Sequence, residues 1–432
     1  MELIYILTVI ITMALVLFLI KKYHLTKYQV MIFILLVLFW SSVIVVRAYR
    51  KSYAGNPIDK GGLALGAAAA ATIASGYGFI SIFARFSIFY LSDLFHSRKL
   101  MIGLGLVIIG LTSYWVFIDP NYTSLLMSSL ALGIGASMLS LFNVFFAQTF
   151  TPKQAMMSVS ILSVAPLLAE FIMSAFQADY TIVTQENYSM LWLLSAGLAV
   201  ISLIFLAFVK DNKEPGRVMT NASLKSVLSN KNIYFFGLIA VLVSLIKFST
   251  SGSNIITYFQ SDIINMNSTM VAYSDFMFSV SQLVAGILAG LTISRRIGLK
   301  NTLLLGVVLG IVFTVILLIS HNDWMLFLTS LLSGFGYGLT YNSLIGLTLQ
   351  SVDVKLREMN MAIFQTFFAI GIFYGDYMYK MILSFIGNVS ELQMYNSVFW
   401  VILFLSVVLL LFTAFGINYD ERNNSHELNH SV

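Results

Sequence analysis

The chain of 432 residues contains no cysteine. That excludes a disulfide framework, a thiolate metal site and a cysteine nucleophile. Charge is scarce as well. Asp, Glu, Lys and Arg make up 10% of the residues, where a soluble domain carries about a quarter. So little charge excludes a soluble enzyme, a disordered chain and a nucleic-acid binder. The histidines are His24, His96, His321, His426 and His430, all in polar loops or in the tail. None is left for a metal site or a proton relay inside an apolar run, and no metal or cofactor is expected. What is abundant is apolar: 59% of the residues are hydrophobic, and the mean hydropathy is +0.88. The apolar runs are long and continuous rather than alternating with a period of two, which excludes an outer-membrane barrel.

A membrane-crossing helix needs about 20 mostly apolar residues, and roughly thirteen runs meet that length. They fall near 2–20, 29–50, 63–91, 100–118, 122–149, 154–178, 188–209, 232–260, 268–293, 300–320, 324–350, 358–386 and 394–417. The longest polar interruption is mid-chain, at 210–231, and reads as a linker. The tail, 418–432, is polar and expected to be disordered. Lys and Arg orient the spans. With the loop holding Arg98 and Lys99 placed in the cytoplasm, about 17 basic residues fall in cytoplasmic segments, as the positive-inside rule requires. Only Lys60 lies clearly in an outside loop. The net charge of +5 is thus accounted for by topology. The first span has Glu2 before it and Lys21-Lys22 after it, with no small-residue cleavage site, so it reads as an uncleaved helix and not a signal peptide. The expected topology is a multi-pass protein of the cell membrane, N-terminus outside and C-terminus cytoplasmic.

Two halves echo each other at an offset near 201. Phe89-x-x-x-Asp93 with Lys99 aligns with Gly290-x-x-x-Ser294 with Lys300; Gly133-Ile-Gly135 with Gly334-Phe-Gly336; Lys153-x-x-x-Met157 with Lys355-x-x-x-Met359. Residues 1–28 fall outside the repeat. The expected architecture is therefore all-α and polytopic: two six-helix bundles in parallel repeat, 29–209 and 232–417, plus one extra N-terminal transmembrane helix. Parallel six-helix halves describe a secondary transporter with a site near the midplane.

Charges inside the spans mark that site, since each costs about 2.5–3.5 kcal/mol to insert and must face a cavity or a partner. Arg47, Arg50 and Lys51 share one helix face at i, i+3 and i+4. Lys247 lies mid-span before Ser249-Thr-Ser-Gly-Ser-Asn254, and the offset sets it opposite the Arg47 region. Arg85 lies eight residues before Asp93. Arg47, Arg50 and Lys51 also follow about 17 apolar residues and would equally snorkel to the outer interface. Glu170, Asp376 and Lys380 are candidates for ion pairing or proton binding, Asp376 and Lys380 as an i,i+4 pair. The Gly and Ala runs read as close helix contacts.

The loop Phe89-Tyr-Leu-Ser-Asp93-Leu-Phe-His-Ser-Arg98-Lys99 and its repeat Gly290-Leu-Thr-Ile-Ser294-Arg295-Arg296-Ile-Gly298-Leu-Lys300 resemble the signature loop of the major facilitator superfamily. The resemblance covers about residues 29–417. It implies a breakable cytoplasmic latch between the halves, formed by Asp93, Arg98, Lys99, Arg295, Arg296 and Lys300. Within that superfamily, Ala48-Tyr49-Arg50-Lys51, Arg85, Ser92-Asp93 and Lys247-Phe248 are similar to motifs of the organophosphate:phosphate antiporters. That likeness implies that Arg50, Lys247 and Arg85 contact a phosphate. The chain departs from that family in having Lys for Arg at 247, no histidine in the fifth core helix and an extra N-terminal helix. The expected function is secondary transport of a small organic anion, for which a phosphate ester is the leading class, by a monomer in a lipid bilayer. The alternative is proton-coupled efflux of drug-like or cationic compounds through Glu170 and Asp376. Against it, Ile161-Leu-Ser-Val-Ala-Pro166-Leu-Leu-Ala-Glu170 keeps only the proline of the exporters' antiporter motif. A sensor would need an output domain, and an enzyme a phosphate-cradling loop, a nucleophile elbow or a metal motif; none is found.

Overall fold

The structure is a computed structural model, and it describes residues 2–95, 97–147, 149–150, 161–162, 164–182, 188–210, 221–351, 357–387 and 389–417. The tail, the linker stretch 211–220, Lys153, Met157 and Lys355 lie outside the described residues, as do the side chains of Asp93 and Met359. Among the described residues the chain is helical, with no strand. The helices follow the expected count of one, six and six. An extra helix α1 (Glu2–Tyr23) comes first. The first half holds α2 (Lys27–Arg47), α3 (Arg50–Gly55), α4 (Ala67–Leu94), α5 (Arg98–Ile118), α6 (Tyr122–Ser137), α7 (Leu139–Ala147), α8 (Val164–Ile182) and α9 (Tyr188–Phe208). A short α10 (Asn221–Leu228) lies in the connector. The second half holds α11 (Lys231–Ser249), α12 (Ser253–Gln260), α13 (Ser268–Leu288), α14 (Ser294–Ile319), α15 (Asp323–Gln350), α16 (Arg357–Ile386) and α17 (Glu391–Gly416). Pairs α2–α3, α6–α7 and α11–α12 are each one span broken once. Nine spans among the described residues are long and apolar enough to cross a bilayer by composition alone. Helices α6, α8, α15 and α16 fall outside that set, and the last three each give a polar residue to the central cavity: Glu170, Tyr341 and Asp376.

The repeat is visible in the packing. A Cβ on Gly133 would lie 2.3 Å from the Tyr77 carbonyl, and one on Gly334 would lie 2.1 Å from the Phe278 carbonyl. Both pairs are related by the same offset of 201. Only glycine lets α6 approach α4, and α15 approach α13, at that distance. Leu at either glycine is expected to lower stability by at least about 1–3 kcal/mol, as overpacking does. Unfolding curves of the purified protein, followed by tryptophan fluorescence, should show similar losses for the two variants. Loss at one site alone would deny the symmetry.

The repeated lysines of the signature loops serve as helix caps. Lys99 Nζ donates to the carbonyls of Ala207 and Val209 at 3.0 and 2.8 Å, and Lys300 Nζ donates to Ile417 at 2.7 Å. Each cation meets the carbonyl end of the last helix of its own half, where the helix dipole favours positive charge. This end of the bundle, called here the basic end, also holds Tyr28, whose hydroxyl donates to the Lys210 carbonyl at 2.5 Å.

Helix α1 lies outside the repeat and against α8. Tyr5 donates to Asp179 at 2.7 Å, and its ring meets Phe176 at 5.2 Å. The contact is at the end opposite the basic one. Leu3, Ile6, Ile10, Met13 and Leu17 are exposed, as suits a helix whose remaining surface faces lipid.

Candidate functional site

The first and seventh core spans break at matching places. Helix α2 ends at Arg47 and α3 begins at Arg50, with Tyr49 N–H bonded to the Val46 carbonyl. Helix α11 ends at Ser249 and α12 begins at Ser253, the turn being made at Gly252 with φ 56° and ψ −133°. That backbone conformation is open to glycine and strained for other residues. Breaks of this kind are tolerated at membrane depth only where protein or a cavity receives the freed backbone groups.

A cavity of about 370 Å³ lies between the halves at this level, a size that suits a small metabolite. Its wall includes Arg47, Arg50, Glu170, Lys247, Asp275 and Asp376, and the turn Ser251-Gly252-Ser253.

Arg50 is 3% exposed and its guanidinium is occupied. It donates to Asp376 Oδ2 at 2.9 Å, to the Arg47 carbonyl at 2.7 Å and, through Nε and Nη2, to the Ala74 carbonyl. The Arg47 carbonyl is one of those released by the break in the span. Asn254 Nδ2 donates to Asp376 Oδ1 at 3.0 Å, and Lys51 Nζ donates to Asn254 Oδ1 at 2.5 Å. A continuous polar chain thus runs Arg50–Asp376–Asn254–Lys51, from the first half to the second and back. Networks satisfied in this way fix one geometry.

Arg47 forms a second ionic group. Its Nη2 lies 3.2 Å from Glu170 Oε1 and 3.5 Å from Asp275 Oδ2. Helices α2, α8 and α13 meet there, so this group too spans both halves. Arg47 therefore points into the cavity and does not snorkel to an interface.

Lys247 is different. Among the described residues it has no carboxylate within 4 Å. Its ammonium stands over the rings of Tyr337, Phe278 and Phe248, at 4.3, 4.7 and 4.8 Å. Cation–π contacts hold the charge without neutralising it.

The structure brings Arg47, Arg50, Lys247, Glu170 and Asp376 together at the cavity. Lys51 sits behind the wall, with its ammonium over Tyr379. Arg85 is nearer the basic end. It donates to Gln365, whose amide donates to the Tyr341 hydroxyl at 2.9 Å; Tyr341 lines the cavity. Asp376 pairs with Arg50, not with Lys380, which stands over the Tyr377 ring at 5.1 Å. A buried carboxylate takes the partner that shares its burial. Of the latch residues, Lys99 and Lys300 cap helices, Arg295 and Arg296 are exposed, and Arg98 opens α5. The contact expected of Asp93 lies outside the described side chains. Sequence reasoning passed over Asp275, although it is a single acid in an apolar run, the same signal that marks Glu170. It also met Asn254 only as part of a polar stretch.

Further contacts join the halves between the cavity and the end opposite the basic one. Ser52 and Thr257 hydroxyls lie 3.0 Å apart, Gln260 donates to the Tyr188 hydroxyl at 3.0 Å, and Lys60 pairs with Asp262.

Residues 237–430, most of the second half, match the family model of the Major Facilitator Superfamily. A variant of the nucleoside transporter NupG superposes with a TM-score of 0.72 at 15% identity, over 90% of this chain and 99% of that one. The chain shares the fold of that transporter. The peptide transporter POT in complex with sulfate gives 0.71 at 13% identity, over 90% of this chain and 94% of that one. A POT family transporter in complex with a thioalcohol-conjugated peptide gives 0.70 at 13% identity, over 89% and 96%. No curated protein matches the sequence.

Proposed function

We propose that this major facilitator fold is a secondary active transporter that moves a small organic anion across the membrane by alternating access. The observation that carries the reading is Lys247, a cation on the cavity wall with no carboxylate within reach among the described residues. The cavity carboxylates face arginines: Asp376 faces Arg50, and Glu170 and Asp275 share Arg47, with Glu170 Oε2 left without a hydrogen-bond partner among the described residues. An incoming anion meets the Lys247 ammonium with no ion pair to break, whereas a cation approaching Asp376 has to displace a guanidinium. With three cations and three carboxylates on the wall, the preference for an anion over a cationic compound rests on this pairing and not on net charge. A phosphate ester remains the leading class, on the likeness of Arg50-Lys51 and Lys247-Phe248 to the organophosphate antiporters. Alternating access then requires the cross-half contacts of Ser52, Lys51 and Lys60 to part in turn with contacts nearer the basic end.

Uptake by proteoliposomes tests the reading. Labelled inorganic phosphate, glycerol phosphate, succinate and tetraphenylphosphonium would be compared with protein-free vesicles. Uptake of at least one anion, saturable and blocked by the unlabelled anions, is the expected result. Uptake of the cation alone would replace this reading by efflux.

A further inference from the structure

We infer that the turn between α11 and α12 is an oxyanion cradle, in which Lys247, the Ser253 hydroxyl and the backbone amides that open α12 together hold the anionic group of the substrate. The inference rests on the anion reading above and assigns the place where the charged group sits.

The cradle is built by the break itself. A span that crosses without interruption has no free amides at its middle. Here α12 begins anew at Ser253, and its first intrahelical bond is Ile256 N–H to the Gly252 carbonyl. The amides of Ser253, Asn254 and Ile255 precede that bond, so they have no partner within the helix. No side chain caps this end among the described residues. The N-terminus of a helix carries partial positive charge and donors that point outward along the axis, which is a ready anion site. Helix α12 has eight residues, whereas α3, its counterpart in the first half, has six and opens on Arg50.

The second observation is Ser253 itself. It is 3% exposed, it lines the cavity, and its Oγ has no hydrogen-bond partner. Its neighbours differ: Ser251 Oγ donates to the Lys247 carbonyl at 2.8 Å, and the Thr250 hydroxyl donates to Ile246. A buried hydroxyl left without a partner costs free energy that a ligand oxygen would recover. The third is Lys247, one turn before the break and on the same cavity wall. Its charge is stabilised by aromatic faces and left open to an anion. Gly252 completes the cradle, because its positive φ turns the chain and its missing side chain leaves room for an oxygen atom to approach the amides. One ammonium, one hydroxyl and a row of amides suit a group with several oxygens on one centre, such as a phosphate, a phosphonate or a carboxylate.

The absence of cysteine from the natural chain makes a direct test available. Ser253→Cys would be the sole thiol. Its rates of modification by an anionic sulfonate-bearing methanethiosulfonate and by a cationic trimethylammonium analogue would be measured in detergent. His321→Cys, in an exposed loop, supplies the reference ratio. At Ser253→Cys the anionic-to-cationic ratio is expected to exceed the reference about tenfold, to fall when Lys247→Gln is added, and inorganic phosphate or acetate is expected to slow modification. A ratio at or below the reference, or no protection by either anion, would overturn the cradle. Ser253→Ala gives a check that needs no thiol: its affinity for phosphate, read by tryptophan fluorescence, should fall about tenfold, and an unchanged affinity would remove the hydroxyl from the site. The two readings fail separately. Protection by anions together with no anion uptake by wild-type proteoliposomes would refute anion transport and leave the cradle standing.

Discussion

Asp376→Ala is expected to cost the folded protein about 3–5 kcal/mol, the usual penalty for removing one partner of a buried ion pair. Arg50 and Asp376 are 3% and 1% exposed. Deleting the carboxylate leaves a buried guanidinium with the Arg47 and Ala74 carbonyls and the Tyr77 ring but no counter-charge on it, and it also strips Asn254 of an acceptor. Arg50→Ala should cost a similar amount for the mirror reason. The double variant should lose less than the sum, because the second deletion removes the charge that the first one stranded. Unfolding curves of the purified protein, followed by tryptophan fluorescence, give all three values. Strict additivity would mean that the two residues do not act on each other and that the polar chain from Arg50 to Lys51 holds no geometry. The pair also joins the halves, so its single variants should lose stability first and substrate affinity only as a consequence.

The spans were legible because bilayer thickness imposes a length on them, and the halves because the same packing problem was solved twice. Gly133 and Gly334 recur at one offset since each must clear a carbonyl on a neighbouring helix. The cavity was legible in outline, because Arg47, Arg50, Lys247, Glu170 and Asp376 are each too costly to leave in lipid. Their partners were not legible. A spacing of i, i+4 offered Lys380 to Asp376, but such a pair is worth only about 0.3–0.5 kcal/mol on a helix surface. Arg50 arrives from another helix, at the same depth and fully enclosed. The break after Arg47 was also hidden, for no glycine or proline marks it. What holds it is the Arg50 side chain, which takes up the carbonyl that the break exposes. The matching break before Ser253 does carry a glycine, at a position where φ is 56°. Asp275 needed no structure to be found; an acid inside the run 268–293 meets the same test as Glu170.

Lys247→Gln is expected to weaken anion binding by about ten- to a hundredfold, since a hydrogen bond to a charged group is worth about 1.5–3 kcal/mol. Lys247→Arg should retain more affinity than Lys247→Gln because the charge remains, although the planar fork replaces a compact ammonium between Tyr337, Phe278 and Phe248. The contrast with the arginines decides the assignment. Arg47 and Arg50 already meet carboxylates, so neutralising them should unsettle the contacts between the halves and lower the maximal rate and the stability more than the affinity. Neutralising Lys247 breaks no ion pair, only its contacts with aromatic faces, and should lower the unfolding temperature less than the arginine variants do while affinity collapses. The measurement is displacement of a bound labelled anion from the purified variants, set beside their unfolding curves. If Arg50→Gln loses affinity as strongly as Lys247→Gln and remains as stable as the wild type, the charge that meets the substrate is Arg50, and the substrate must enter by displacing Asp376 from it.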